Sequence, residues 1–246
     1  MYDIERQNKI LEILKEKKSC SVAYLARELM FSESTIRRDL NELSKQMRVR
    51  KTFGGAVILE NYSSVIPSKV RGNENVYVKE RIAACAATLL HDNMTIFLAE
   101  STTVEHILPY LNNFSGLTVI TNSPEFTLKL SSTDIEVFST GGRLLHHSNS
   151  YVGEYARKMI RQINADIMFF SVRGLSDGGK LTTSSTDDDV MATMMENSKS
   201  TCLLIDSSKF SHTYPFSLCS LRDVDTIVTD APLPQGLEHD NIIIVD

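Results

Sequence analysis

Cysteine is scarce and scattered. Cys20, Cys85, Cys202 and Cys219 share no C-x-x-C spacing, which excludes a disulfide framework and a zinc knuckle and fits small buried thiols in a reducing cytoplasm. Long hydrophobic runs are also missing. The longest largely apolar stretch, Ile82–Leu90, falls well short of the ~18–20 residues that cross a bilayer. The chain starts with Asp3, Glu5 and Arg6 rather than a basic stretch and an apolar block, so neither an export signal nor a membrane partner is expected. No G-x-G-x-x-G or Walker-type loop occurs, which argues against dinucleotide and nucleoside triphosphate binding. His106, His146 and His147 lack a third ligand at metal spacing, so neither metal nor cofactor is expected. The acidic run Asp187–Asp189 suits the positive start of a helix better than a cation.

What is present is a chain of 246 residues, 42% apolar and 23% charged, able to bury a sizeable core. Its net charge of −5 is unevenly spread. Residues 1–59 carry 12 Lys and Arg against 8 Asp and Glu, while residues 60–246 carry 14 against 23. A small basic head on an acidic body implies that only the head meets a polyanion.

Within the head, Ile4, Ile10, Leu11, Ile13 and Leu14 recur at helical spacing over Asp3–Lys17. Ser19-Cys-Ser21 breaks the pattern, and Ser21 is placed to cap a second helix bearing Val22, Leu25, Ala26 and Leu29. Ser32 caps a third, whose buried stripe is Ile36, Leu40, Leu43 and Met47. Its other face presents Ser34, Arg37, Arg38, Asn41 and Lys45, with Thr35 in the first turn. A basic, β-compatible stretch, Arg48–Phe53, then turns at Gly54-Gly55 into Ala56–Leu59, a two-stranded hairpin carrying Arg50 and Lys51. Three helices and a basic hairpin describe a winged helix-turn-helix. Its third helix fits the major groove of double-stranded DNA, with Ser32, Ser34, Thr35, Arg37, Arg38, Asn41, Lys45, Arg50 and Lys51 as the contacting residues.

Residues 60–78 are polar and broken by Pro67 and Gly72, and read as a linker. From 79 to 246, helical stretches (79–91, 103–110, 151–162, 189–197) alternate with short apolar runs at 95–98, 117–121, 135–139, 167–172, 202–206, 226–229 and 242–245. This is the pattern of an α/β domain with a mostly parallel sheet. Ligands bind such sheets where the strands end. The tails there supply Ser101, Thr102, Thr103, Thr121, Asn122, Ser123, Gly141, Gly142, Arg143, Arg173, Asp177 and Lys209, a set of hydroxyls, glycines and cations suited to a phosphate.

The run Ser32-Glu-Ser-Thr-Ile-Arg-Arg-Asp-Leu40, with Ile10-Leu-Glu-Ile-Leu14 before it and Gly54-Gly-Ala56 after it, resembles the DNA-binding domain of DeoR-family bacterial regulators. Thr121-Asn-Ser123, Gly141-Gly142, Val152-Gly153, Gly174, Leu181-Thr-Thr183 and Asp206-Ser-Ser-Lys-Phe210 resemble that family's sensor domain, which is similar in fold to ribose-phosphate isomerase. The resemblance implies a repressor of a carbohydrate-utilisation operon, binding operator DNA as a homodimer or homotetramer and responding to a phosphorylated sugar. The family's first loop reads Asp-x-Gly-Thr-Thr, whereas Ala99-Glu100-Ser101-Thr102-Thr103 stands here; Ser171 replaces a usual Gly, and Met191 a frequent Lys. Glu100 pointing inward would repel a phosphate, so an altered effector pocket is expected. The alternative is a sugar-phosphate isomerase or deaminase with an appended head, using Lys209 and Asp177 as acid and base.

Overall fold

The computed structural model describes residues 3–45, 49–52, 54–58, 71–184 and 189–245. The chain divides into two compact units between Val70 and Arg71. In the first, α1 (Asp3–Lys17), α2 (Val22–Leu29) and α3 (Glu33–Lys45) form as their apolar spacing requires. Ser21 caps α2 by accepting the Tyr24 N–H at 3.1 Å, and Ser32 accepts the Thr35 N–H at 3.2 Å. Met30, left-handed at φ 57°, ends α2 and turns the chain toward α3. Ile10, Leu14, Leu25, Ile36, Leu40 and Leu43 are buried together, each contributing about 1.5–3 kcal/mol of transfer free energy. Met47, expected to continue that stripe, lies outside the described residues.

The expected two-stranded hairpin has a third strand. Ser19–Ser21, which reads as a break between helices, is β1, and pairs with β3 (Gly55–Ile58), which pairs in turn with β2 (Val49–Thr52). Three residues are too few to show an alternating pattern. The contact is close enough to dictate a glycine: a Cβ on Gly55 would stand 2.3 Å from the Cys20 carbonyl oxygen.

The second unit is built on seven parallel strands in the order β15-β14-β12-β9-β4-β5-β6. These are β4 (Thr95–Leu98), β5 (Thr118–Thr121), β6 (Glu136–Ser139), β9 (Ile167–Phe170), β12 (Thr201–Leu204), β14 (Thr226–Thr229) and β15 (Ile242–Ile244). They coincide with the seven apolar runs. Successive residues face opposite layers. Ile96 and Leu98 pack with Ile82, Ile107 and Phe126 on one side, while Phe97 and Phe170 pack with Ala156, Ile160 and Met194 on the other. The inner strands β4, β5, β9, β12 and β14 are covered on both faces and so carry no alternation, whereas the edge strands β6 and β15 keep Phe138 and Ile244 exposed.

Several elements had no counterpart in the sequence reading. β7 (Arg143–Leu145) pairs with β8 (Ser150–Val152), and a small antiparallel sheet joins β10 (Gly174–Leu175), β11 (Lys180–Thr183) and β13 (Phe216–Ser220). The helix α4 spans Val76–Ala87 rather than starting at Lys79. Residues 71–78, assigned to the linker by their polarity, belong to the second unit, because Lys79 and Asn75 tie them to it through side-chain hydrogen bonds. No helix among the described residues is long and apolar enough to cross a membrane, and none of their His, Cys, Asp or Glu side chains group as metal ligands.

Candidate functional site

Two sites emerge, one in each unit. In the first unit, α3 exposes Ser32, Ser34, Arg37, Arg38 and Asn41, while Thr35 is half-buried. The Ser32 hydroxyl is engaged as the cap and lies 2.8 Å from Ser34 Oγ and 2.9 Å from Thr35 Oγ1, so the three hydroxyls form one cluster at the helix start. Arg37 reaches Glu33 one turn back at 2.8 Å, with both side chains about half exposed. Lys51 on β2 donates to Asn41 Oδ1 at 2.5 Å, which fixes the strand pair against the exposed face of α3. Lys45 and Arg50 belong to α3 and β2, but their side chains lie outside what is described.

The residue between the cations and the apolar stripe has a different task. Asp39, 1% exposed, receives two hydrogen bonds from Arg6 of α1, Nε to Oδ2 at 2.5 Å and Nη2 to Oδ1 at 3.0 Å. The Arg6 guanidinium also lies 4.7 Å from the centre of the Phe31 ring. One bidentate pair therefore locks α1, the turn before α3 and α3 itself. Sequence reasoning counted both residues only as charge; their separation of 33 positions hides the pairing.

In the second unit, the strand order turns at β4: β5 and β6 extend to one side, and β9, β12, β14 and β15 to the other. The carboxyl ends of β4 and β9 flank that crevice, the place where such sheets bind ligands. An open cleft of about 550 Å³, solvent at its mouth included, lies there. Ser101 and Glu100 line it from the end of β4, Asn122 from β5, and Ser171 and Arg173 from β9. Arg71, His147, Ser148, Ser150, Thr183 and Met191 complete the wall.

Behind Ser171 stands a buried ionic cluster. Lys209, its side chain 18% exposed, donates to Ser171 Oγ at 2.8 Å and to Thr103 Oγ1 at 3.4 Å, and lies 3.6 Å from Asp206 Oδ2. Burial pushes its pKa down to about 8; Asp206 opposes that fall, while Arg71, Lys79 and Arg173 add to it. Lys79, 3% exposed, donates to the Arg71 carbonyl oxygen, and burial lowers its pKa too. Burial alone would raise the Asp206 pKa, but Lys209 and the donors Ser208 and Asn75 bring it below its ordinary value. Cations thus outnumber carboxylates around Lys209, a desolvated positive field suited to an anion.

The sequence-derived set divides here. Ser101, Asn122 and Arg173 line the cleft, and Thr103 and Lys209 lie in the layer behind it. Thr102, Thr121 and Ser123 are buried, and at least two of them support the loops: Thr121 Oγ1 donates to the Leu98 carbonyl at 2.7 Å, and Ser123 caps the helix Pro124–Leu130. Gly141, Gly142 and Arg143 fall outside the cleft lining because β6 is an edge strand, separated from β9 by β4 and β5. Gly142 serves packing instead, since a Cβ would meet the Val152 carbonyl oxygen at 2.7 Å. Asp177 sits in the turn between β10 and β11 and lines a separate hollow with Gly178, Ser220 and Arg222. It is not placed to act as base beside Lys209. His147, Ser148 and Ser150 were missed because they arrive on the β7–β8 hairpin, and Arg71 because it falls in the polar stretch that reads as a linker; Lys79 falls on an expected helix, but its burial is not what a lysine there signals.

A winged helix-turn-helix with a cationic third helix, combined with a sensor-type α/β unit, defines a DNA-binding transcription regulator. Residues 6–62 match the model of the DeoR-like helix-turn-helix domain, and residues 74–231 that of the DeoR C-terminal sensor domain. The chain belongs to the DeoR family of transcriptional regulators. It is 35% identical to the uncharacterized HTH-type transcriptional regulator YulB of Bacillus subtilis, over 93% of this chain and 89% of that protein. It is 31% identical to the glycerol-3-phosphate regulon repressor of Escherichia coli, over 95% of this chain and 93% of that one. These relatives are named as regulators and not as enzymes. Among solved structures, ribose 5-phosphate isomerase A of Methanocaldococcus jannaschii aligns with 56% of this chain and 55% of its own at 17% identity and a TM-score of 0.43.

Proposed function

We propose that this regulator represses a carbohydrate-utilisation operon in the cytoplasm and is released from its operator when a phosphorylated sugar enters the cleft at the ends of β4 and β9. The observation that carries the reading is the gathering of cations at that cleft: Arg71 and Arg173 line it, and Lys209 and Lys79 stand behind it around the buried Asp206. A regulon named for glycerol 3-phosphate, under a relative's control, agrees with a phosphorylated effector. In this reading Ser34, Thr35, Arg37, Arg38 and Asn41 face the major groove, Lys51 meets the backbone beside it, and two or four copies pair on a symmetric operator.

The readout begins at Arg71. It lines the cleft, and it is the first residue of the second unit. Lys79 holds its carbonyl, and Asn75 donates to Asp206 Oδ1 at 3.3 Å and Ser208 Oγ at 3.1 Å. An anion that draws in Arg71 and Lys209 therefore pulls on the segment leading back to the DNA-binding unit, a coupling between two sites through one strap of chain. Fluorescence anisotropy on fragments of the gene's own promoter region, with and without sugar phosphates, tests the proposal. Tight, sequence-selective binding relieved by a sugar phosphate supports it; indifference to DNA sequence at moderate salt ends it.

A further inference from the structure

From the position of Glu100 we infer that the effector carries a cationic group as well as its anion, as a phosphorylated amino sugar does. The inference rests on the reading of the cleft as an anion site. Glu100 lines that cleft and is only partly exposed. Its loop is held in place: the Glu100 N–H donates to Asn122 Oδ1 at 2.8 Å, and Ser101 Oγ accepts the Thr103 N–H at 3.0 Å. Glu100 thus shares one wall with Ser101 and Asn122, while Arg71 and Arg173 belong to the same cleft.

Glu100, Arg71 and Arg173 each already have a partner within the protein, so a ligand enters by exchanging partners. A ligand bearing only a phosphate takes up the arginines and adds its own charge to that of Glu100 in a partly desolvated space, which is costly. A ligand bearing phosphate and ammonium satisfies both signs at once, and a charge-assisted hydrogen bond to Glu100 is among the stronger polar contacts available. The hydroxyls of Ser101, Ser148, Ser150 and Thr183 leave the rest of the wall suited to a polyhydroxylated body. Glu100 is therefore a specificity residue that selects among phosphorylated sugars by the charge of a substituent.

The test is calorimetric titration of the full chain with glucosamine 6-phosphate, glucose 6-phosphate and inorganic phosphate, on the native protein and on Glu100→Gln. The amino sugar is expected to bind about tenfold or more tightly than its neutral counterpart, and Glu100→Gln to reduce that preference to about twofold or less while phosphate binding persists or strengthens. Equal or tighter binding of glucose 6-phosphate, a preference that survives Glu100→Gln, or no measurable binding of either hexose phosphate while inorganic phosphate binds would overturn the inference. Failure of inorganic phosphate and both sugars alike would instead remove the anion reading beneath it.

Discussion

Both units bury positive charge, and they treat it in opposite ways. In the first, Arg6 is 3% exposed and meets Asp39 in a bidentate pair, with the Phe31 ring beside it. Charge and geometry are matched, and Arg37 and Arg38 stay at the surface. In the second, Lys209 and Lys79 share Asp206, Glu74 and Glu105 also act on Lys79, and Arg71 and Arg173 are close enough to depress the Lys209 pKa. A bidentate buried pair fixes helices relative to each other; a looser cluster, in which several cations share a carboxylate, can exchange its partners for a ligand. The difference separates architecture from binding.

Breaking the matched pair should have the largest effect. Asp39→Ala leaves the Arg6 guanidinium buried without its counter-charge, so a loss of about 3–5 kcal/mol is expected. Urea denaturation of the full chain, followed by circular dichroism, should show an early transition and loss of DNA binding, with phosphate still stabilising the remainder. Lys209→Met probes the looser cluster. Removing a desolvated ammonium should leave melting unchanged or raised, yet weaken inorganic phosphate about tenfold to a hundredfold, the worth of a hydrogen bond to a charged group. If Lys209→Met unfolds the protein as Asp39→Ala does, the contrast between the units is wrong.

Much of this was legible beforehand, for a physical reason. Periodic burial writes itself into sequence: the stripe Ile36, Leu40, Leu43 and the five doubly covered inner strands are repeated local signals. The crevice at β4 and β9 followed only in part, because Ser101 and Arg173 stand at strand ends whereas Arg71 and His147 arrive from stretches with no pattern of their own. The Arg6–Asp39 pair was invisible for the same reason, being a single contact between distant helices. Gly141, Gly142 and Arg143 misled because the order of strands across the sheet, which decides whose tail reaches the crevice, is not written in any one strand.

Lys209 sharpens the comparison through pH. With its pKa at about 8, Lys209 holds its proton below that value and releases it above. A sugar phosphate, being a monoester, is already mostly a dianion at pH 7 (second pKa about 6), so with that ligand only the protein's charge changes on going higher. Sugar-phosphate affinity should fall by about tenfold between pH 7 and pH 9 as the ammonium is lost, and the fall should vanish in Lys209→Met. The unfolded chain keeps a lysine proton up to the ordinary value of 10.5. Over the window from about 8 to 10.5 the unfolded state therefore binds more protons, and this group makes folding more favourable as pH rises. Affinity and stability move in opposite directions from one residue.

The smallest effect is expected at the surface of the first unit. Arg37 and Glu33, 2.8 Å apart and about half exposed, form an ordinary pair between successive turns of α3, worth about 0.3–0.5 kcal/mol. Arg37→Ala should therefore shift the melting transition very little. If Arg37 meets a phosphate of the operator, the same change lowers DNA affinity across sequences and reduces the salt dependence by about one unit of slope. Glu33→Gln should act the other way, releasing Arg37 and removing a negative charge from the face turned to a polyanion, so that DNA binding tightens slightly. Anisotropy titrations at several salt concentrations separate these outcomes. A loss of stability in Arg37→Ala comparable with that in Asp39→Ala would mean that this unit does not keep its structural charge inside and its binding charge outside.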